Sequence, residues 1–179
     1  MNFLIGSDLH GSYKYGKMFI DKMNKYQIDK IILLGDLFYN GARNNPPLEY
    51  SPKDLVELLN KYADKIICVQ GNCDSEVDQM VCHFNLSPLV TIFAFNKEIV
   101  LSHGHKYSFD NLPVHPGDIF IQGHTHKSVL EKKDNLILVN PGSVSLPKDE
   151  HHSYIILNDE GIKLFDLLND QLLKEIKFE

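Results

Sequence analysis

The sequence predicts an α/β fold, and two observations carry that prediction. Residues 3–69 alternate short, wholly apolar runs with amphipathic stretches of helical period, the pattern of parallel strands joined through helices. From about residue 90 the texture changes to short apolar runs separated by turn residues, which read as strands and hairpins.

Phe3-Leu4-Ile5 is too short for a helix and reads as a buried strand. Ser12 then offers an N-cap for a helix to about Tyr26, with Met18, Phe19 and Met23 on its inner face. Ile31-Ile32-Leu33-Leu34 is the second strand, and its unbroken apolar run suits burial on both faces. Ser51-Pro52 supplies a cap and a first-turn proline to a helix whose apolar side is Leu55, Val56, Leu58 and Leu59. Ile66 to Val69 is the third strand, and Ser75-Glu76-Val77-Asp78 resembles a capping box opening a short helix. Val90 to Phe95 and Ile99 to Leu101 read as strands joined by a turn at Asn96-Lys97, and Ile119-Phe120-Ile121 as another short strand. Val129-Leu130 and Leu136 to Val139 form a hairpin about Asp134-Asn135, followed by a tight polar loop, Asn140 to Ser143. Tyr154 to Leu157, Ile162 to Leu167 and Leu172 to Phe178 complete the strands, the first two joined around Asp159-Glu160-Gly161. No repeat, low-complexity tract or linker interrupts the chain, so residues 1–179 are expected to form one domain.

The net charge of −6, with no basic run longer than Lys132-Lys133, argues against a nuclease or any broad nucleic-acid surface. Cys68, Cys73 and Cys82 make an odd set without C-x-x-C spacing, which points to a reducing compartment. The first residues lack a basic segment and carry only a short apolar run, so neither a signal peptide nor a membrane span is expected. Together these readings place the protein in the cytoplasm. The strand-rich second half offers an edge for self-association, and a homodimer is the expected assembly.

Chemistry gathers where strands end. Five apolar runs deliver Asp8 and His10, then Asp36, then Asn72, then His103, then His124 and His126, often just past a glycine. If those strands lie side by side, all seven groups meet along one edge, where α/β sheets build their sites. Taken singly, an aspartate can cap a helix and a histidine can sit on the surface. Seven such groups at strand ends argue for metal. Carboxylates, an amide oxygen and imidazoles without thiolate suit Mn²⁺, Fe²⁺ or Zn²⁺, with Mn²⁺ preferred. The set is too large for one tetrahedral ion, so two ions are expected, with Asp36 on the central strand as the natural bridge.

The ordered motifs Asp8-Leu9-His10, Gly35-Asp36, Gly71-Asn72-Cys73-Asp74, His103-Gly104-His105 and Gly123-His124-Thr125-His126 resemble those of the calcineurin-like metallophosphoesterases. With residues 74–80 and Asn140-Pro141-Gly142-Ser143, the whole chain is similar to the small bacterial YfcE-type phosphodiesterase branch, itself related to the retromer subunit Vps29. The resemblance implies a four-layer α-β-β-α sandwich, two mixed sheets face to face with helices outside, and hydrolysis of small phosphate esters. It implies one metal on Asp8, His10, Asp36 and His126, and another on Asp36, Asn72, His103 and His124. His103 is the member of its pair that the family pattern selects, leaving His105 beside the ligands or on the surface. On this reading, hydroxide generated between the ions attacks phosphorus in line.

The sequence departs from the family in two places. Cys73 stands where many relatives carry a histidine that protonates the leaving group, and a thiol of pKa near 8.5 is a poor substitute acid. It is either a weak participant, favouring esters with good leaving groups, or a small apolar filler. Asn40-Gly41-Ala42-Arg43 replaces a His-Gly-Pro-Arg loop. Arg43 there is either a ligand to a phosphate oxygen or a solvated loop residue. Asp74 either orients a neighbouring group or caps a helix, and His151-His152 is expected to be exposed. A phosphodiesterase is the leading reading. A phosphomonoesterase or nucleotide pyrophosphatase with the same metals, and a Vps29-like interaction module without catalysis, are the alternatives.

Overall fold

The computed structural model describes residues 1–178. Strand β1 (Phe3–Gly6), helix α1 (Tyr13–Lys25), β2 (Lys30–Leu33), α2 (Pro52–Asn60), β3 (Ile66–Val69), α3 (Glu76–Val81) and β4 (Leu86–Ser87) follow in turn, with a 3₁₀ turn at Ala63–Lys65. Strands β1 to β4 pair in parallel. The next five, β5 (Val90–Ala94), β6 (Lys97–Leu101), β7 (Ile119–Ile121), β8 (Ser128–Lys133) and β9 (Leu136–Pro141), make a second sheet in the order β5-β6-β7-β9-β8. The chain then returns. β10 (Ser153–Asn158) pairs antiparallel with β1, and β11 (Gly161–Asp166) and β12 (Leu172–Lys177) extend the first sheet to seven strands.

Period-two alternation explains how the sheets stack. In β1 and β2, Leu4, Ile31 and Leu33 face α1 and α2, meeting Phe19, Met23, Leu55 and Leu59. Their alternates Phe3, Ile5, Ile32 and Leu34 face the other sheet, packing with Ile99, Leu101, Ile119 and Ile121. The two mixed sheets thus lie face to face over one apolar layer, with helices on the outside of the larger. Across the outer face of the smaller sheet, Val100, Phe120 and Leu138 pack with Phe109, from the irregular segment between β6 and β7. That segment takes the place of a helix in the fourth layer. Phe120 is fully buried there, and truncating such a side chain costs about 3–5 kcal/mol.

Several local expectations hold. Ser12 caps α1 by accepting from the Tyr15 N–H, and Ser75 with Asp78 forms a complete capping box on α3. Others need correction. Ser51 sits at the N-cap of α2, but its hydroxyl donates to the Asp54 side chain (2.6 Å) and accepts no backbone N–H. The β5–β6 turn is Phe95-Asn96, both with φ of 56°, and Lys97 already pairs with Ala94. A left-handed phenylalanine is unusual, and this one is held by its ring against Phe3 and Phe178. Asn140 and Pro141 belong to β9 rather than to a loop. His151 and His152 are half-buried, not exposed. His151 meets Asp166 at 2.7 Å, while His152 donates to the Val144 carbonyl and stacks on Tyr15.

Candidate metal centre

The ligand-bearing strands do not share one edge. β1, β2 and β3 lie in the large sheet and β6 and β7 in the small one, and their carboxyl ends meet over one cleft. Backbone bonds lash the loops together. The Asp8 N–H donates to Gly35 O (3.0 Å), His10 N–H to Asp36 O (2.9 Å) and Gly123 N–H to His103 O (2.8 Å). Between the sheets, the His124 N–H donates to Asp8 Oδ2 (3.0 Å). The turns are sharp: Asp8, His10, Asp36, His124 and His126 all have positive φ, from 45° to 68°. Such backbone costs of order 1–3 kcal/mol per residue and collects at functional sites. Gly71 is required for a different reason, since a Cβ there would strike the Asp36 carboxylate.

Three imidazoles are fixed by their outer nitrogens. Nδ1 of His10, His103 and His126 lies 2.7, 2.6 and 2.6 Å from the carbonyls of Tyr39, Leu34 and Leu146. A carbonyl only accepts, so Nδ1 carries the proton and Nε2 of each neutral ring presents a lone pair to the cleft. His10 Nε2 and His126 Nε2 are only 3.1 Å apart. Asp8 Oδ1 lies 3.2 Å from His126 Nε2 and 3.6 Å from His10 Nε2. That oxygen is buried and no hydrogen bond satisfies it. On the other side, Asp36 Oδ1 is 3.5 Å from His103 Nε2, and Asn72 Oδ1 is 3.1 Å from the same nitrogen. Ligand atoms of Asp8, His10 and His126 lie within 4.8 Å of one another, as do those of Asp36, His103 and His124. Facing lone pairs beside an unsatisfied buried carboxylate oxygen are repulsive by themselves, and a cation relieves them. The residues present therefore fit metal.

The electrostatics agree. Burial alone would push Asp8 up, yet the imidazoles of His10 and His126 and the charge of His103 hold it far below the usual carboxylate range. Burial likewise acts to lower His103, but Asp36 and Asp8 outweigh it and raise the imidazole to about 9. Two buried carboxylates thus favour positive charge in the site.

Around this floor the cleft opens to a cavity of about 400 Å³. Arg43, Asn44, Thr125 and Lys148 line its upper part. The Arg43 loop is closed by reciprocal amide bonds, Asn40 Nδ2 to Asn44 O (2.7 Å) and Asn44 Nδ2 to Asn40 O (2.8 Å). Cys73 also lines the cavity, and its N–H donates to Asp36 Oδ1 (2.8 Å). Its sulfur lies within 4.8 Å of His10 and Asp36 ligand atoms, so a thiol borders the set after all. Burial, then the negative charge of Asp36, pushes that thiol up to about 12.

Comparison with known proteins places this arrangement. The family model for the calcineurin-like phosphoesterase superfamily domain matches residues 1–161. The chain is a member of that superfamily. It is similar to phosphodiesterase YfcE of Escherichia coli K12, at 36% identity over 96% of this chain and 94% of that one. The solved structure of the E. coli phosphoesterase YfcE superposes with a TM-score of 0.96 at 34% identity, covering all of both chains. Vps29 of Entamoeba histolytica, with TM-score 0.70 and 22% identity over both full chains, shares the fold.

Within this superfamily member, the other site expectations fall out unevenly. Asp74 does not cap a helix; Ser75 does. The Asp74 carboxylate instead accepts from the backbone N–H groups of Asp36 (2.8 Å), Leu37 (2.8 Å) and Gly71 (2.7 Å), clamping the β2 and β3 loops together. His105 is exposed, its ring 5.3 Å from His103. Arg43 is exposed but lines the cavity. Three supporting residues escaped the sequence reading. Asn140 Nδ2 donates to Gly123 O (2.9 Å) and Thr125 Oγ1 (3.1 Å), while the Ser143 and Ser145 hydroxyls both donate to Asp8 O (2.8 and 3.0 Å). Asn140 and Ser143 belong to a motif the resemblance had already singled out, which was the available signal.

Proposed function

We propose that this protein is a phosphodiesterase acting on small phosphate esters with two divalent metal ions, Mn²⁺ in preference to Fe²⁺ or Zn²⁺. The observation that carries this reading is the pair of ligand clusters flanking Asp36, one containing a buried carboxylate oxygen without a partner. Asp8, His10, Asp36 and His126 would hold one ion, and Asp36, Asn72, His103 and His124 the other, with Asp36 shared. Bound there, the ions supply Lewis acidity at the phosphoryl oxygens and bring the pKa of water near neutrality.

The chain's own groups do the rest. The carbonyls of Tyr39, Leu34 and Leu146 hold three imidazoles in the tautomer that turns Nε2 inward. Arg43 grips a non-bridging oxygen of the ester phosphate. Cys73, a half-buried thiol where burial disfavours the thiolate, is a poor proton donor to the leaving group. Esters with good leaving groups are therefore preferred, and diesters over monoesters, in keeping with the phosphodiesterase name of the 36%-identical relative. The filled and converging ligand positions favour catalysis over a Vps29-like binding role. The chain works as one domain, because β11, which extends beyond the family match, joins β12 to the sheet that carries Asp8. Free cysteines suit the cytoplasm. A homodimer would use an open edge of the smaller sheet, where Phe93 of β5 is 79% exposed.

The test is paired hydrolysis by metal-stripped protein given back Mn²⁺, comparing an aryl phosphodiester with its monoester and using Asp36→Asn as control. Metal-dependent diester cleavage that the variant lacks is the expected result. Monoester preference would overturn the diesterase reading, and inactivity on both esters would favour a binding role.

A further inference from the structure

Two cations line the upper cavity, and they enter from different parts of the chain. Arg43, the sole arginine in the sequence, follows β2, whereas Lys148 follows β9. Lys148 differs from an ordinary surface lysine in how its backbone is held. Its N–H donates to the His126 carbonyl (2.9 Å), and two residues earlier Leu146 O accepts from His126 Nδ1 (2.6 Å). The segment is thus tied twice to a residue of the metal centre.

Its natural quencher is also turned away. Asp149, the next residue, accepts from both the N–H and the hydroxyl of Ser128 at 2.7 Å, so its carboxylate is committed to β8. Among the described residues, lysine–carboxylate pairs use Lys17, Lys22, Lys25, Lys163 and Lys177, and not Lys148. What sets Lys148 apart from the other lysines without a carboxylate partner is its place: its backbone is tied to His126 and its side chain lines the cleft, where it can meet an anionic substrate.

A charge count indicates which ligand. On the phosphodiesterase reading, on which this inference rests, two divalent ions against Asp8 and Asp36 leave two formal positive charges. An attacking hydroxide and the diester monoanion cancel them, and Arg43 already takes a non-bridging oxygen, so the reacting phosphate leaves no charge for Lys148. Lys148 therefore answers to negative charge elsewhere on the substrate. A cavity of about 400 Å³ is in the range of sites that take whole small molecules, so there is room for such a group. We infer that Lys148 binds a second anionic group, remote from the phosphorus under attack, and selects diesters that carry an additional phosphate or carboxylate.

Equilibrium binding decides this apart from turnover. Calorimetry on Mn²⁺-loaded protein would compare thymidine 3′,5′-bisphosphate with thymidine 5′-phosphate, in wild type and in Lys148→Gln, Lys148→Glu and Lys148→Arg. Wild type should bind the bisphosphate at least about tenfold more tightly, the worth of one charge-assisted contact. Lys148→Gln should abolish that preference, Lys148→Glu reverse it and Lys148→Arg retain it. No preference in wild type, a preference kept by Lys148→Gln, or an equal loss for both nucleotides overturns the inference. Hydrolysis of the p-nitrophenyl ester of thymidine 5′-phosphate by wild type tests the diesterase reading alone. A wild type that binds selectively but does not turn over therefore condemns that reading and not Lys148.

Discussion

The floor and the rim of the cleft are built by different rules. On the floor, Asp8, His10, Asp36, His103 and His126 are at most 4% exposed, and three imidazoles are pinned by backbone carbonyls. At the rim, Arg43, His105 and Lys148 are exposed, and Asn72 reaches from there to His103 on the floor. Floor geometry is fixed by strands, buried hydrogen bonds and left-handed turns. The rim hangs on loops, which are free to differ between relatives that share the same chemistry. On the proposed function, reaction class resides in the floor and substrate choice in the rim.

That division can be broken at several points, and the largest effect should come from the floor. Asp36→Asn should lower kcat/KM for an aryl diester by about a thousandfold, and metal analysis should find fewer than two ions per chain. Next comes the clamp beneath. Asp74→Ala leaves three buried backbone N–H groups without their acceptor, so urea unfolding should show a loss of roughly 3 kcal/mol together with a large fall in activity. Asn140→Ala removes the bonds to Gly123 O and Thr125 Oγ1. About tenfold weaker Mn²⁺ binding is expected, read by metal titration, with a stability loss of roughly 1–2 kcal/mol. A wild-type metal affinity would show that the β7 loop holds its histidines without that support.

The smallest effect belongs to the border between floor and rim. Cys73→Ala should change kcat for an activated diester by less than about threefold. The largest cause of the thiol's upward shift is burial, which bound metal leaves in place, and a thiol so held is a poor acid. The wild-type pH–rate profile should therefore show no limb near the ordinary thiol value of about 8.5. A limb there that vanishes in the variant would restore a proton-transfer role to Cys73.

Much of the floor was legible in the sequence because strands of period two that end in polar residues deliver those residues to a sheet edge. The two-sheet arrangement came from resemblance, since nothing in Ile99 to Leu101 or Ile119 to Ile121 says which sheet they join. Features made by distant contacts were not readable. Phe95 is a poor turn residue by propensity, and its ring packs on Phe3 and Phe178, distant in sequence. Ser143 and Ser145 matter because they reach the Asp8 carbonyl, far away in sequence. Leu86–Ser87 is a strand too short to leave a pattern. Asp74 stayed open between orienting a neighbour and capping α3 because it stands one residue before the true cap, and the loops it clamps lie far away in sequence.

The return of the chain to β1 has a consequence for how the protein is made. Asp8 and His10 are made long before their supports: β1 gains its antiparallel neighbour only with β10, and the Asp8 carbonyl gains its donors only with Ser143 and Ser145, 135 and 137 residues later. Pairings of such long sequence separation form slowly and late. Ligand residues made early are thus among the last to be fully held, and a nascent chain has no finished ligand cluster until β10 has been made.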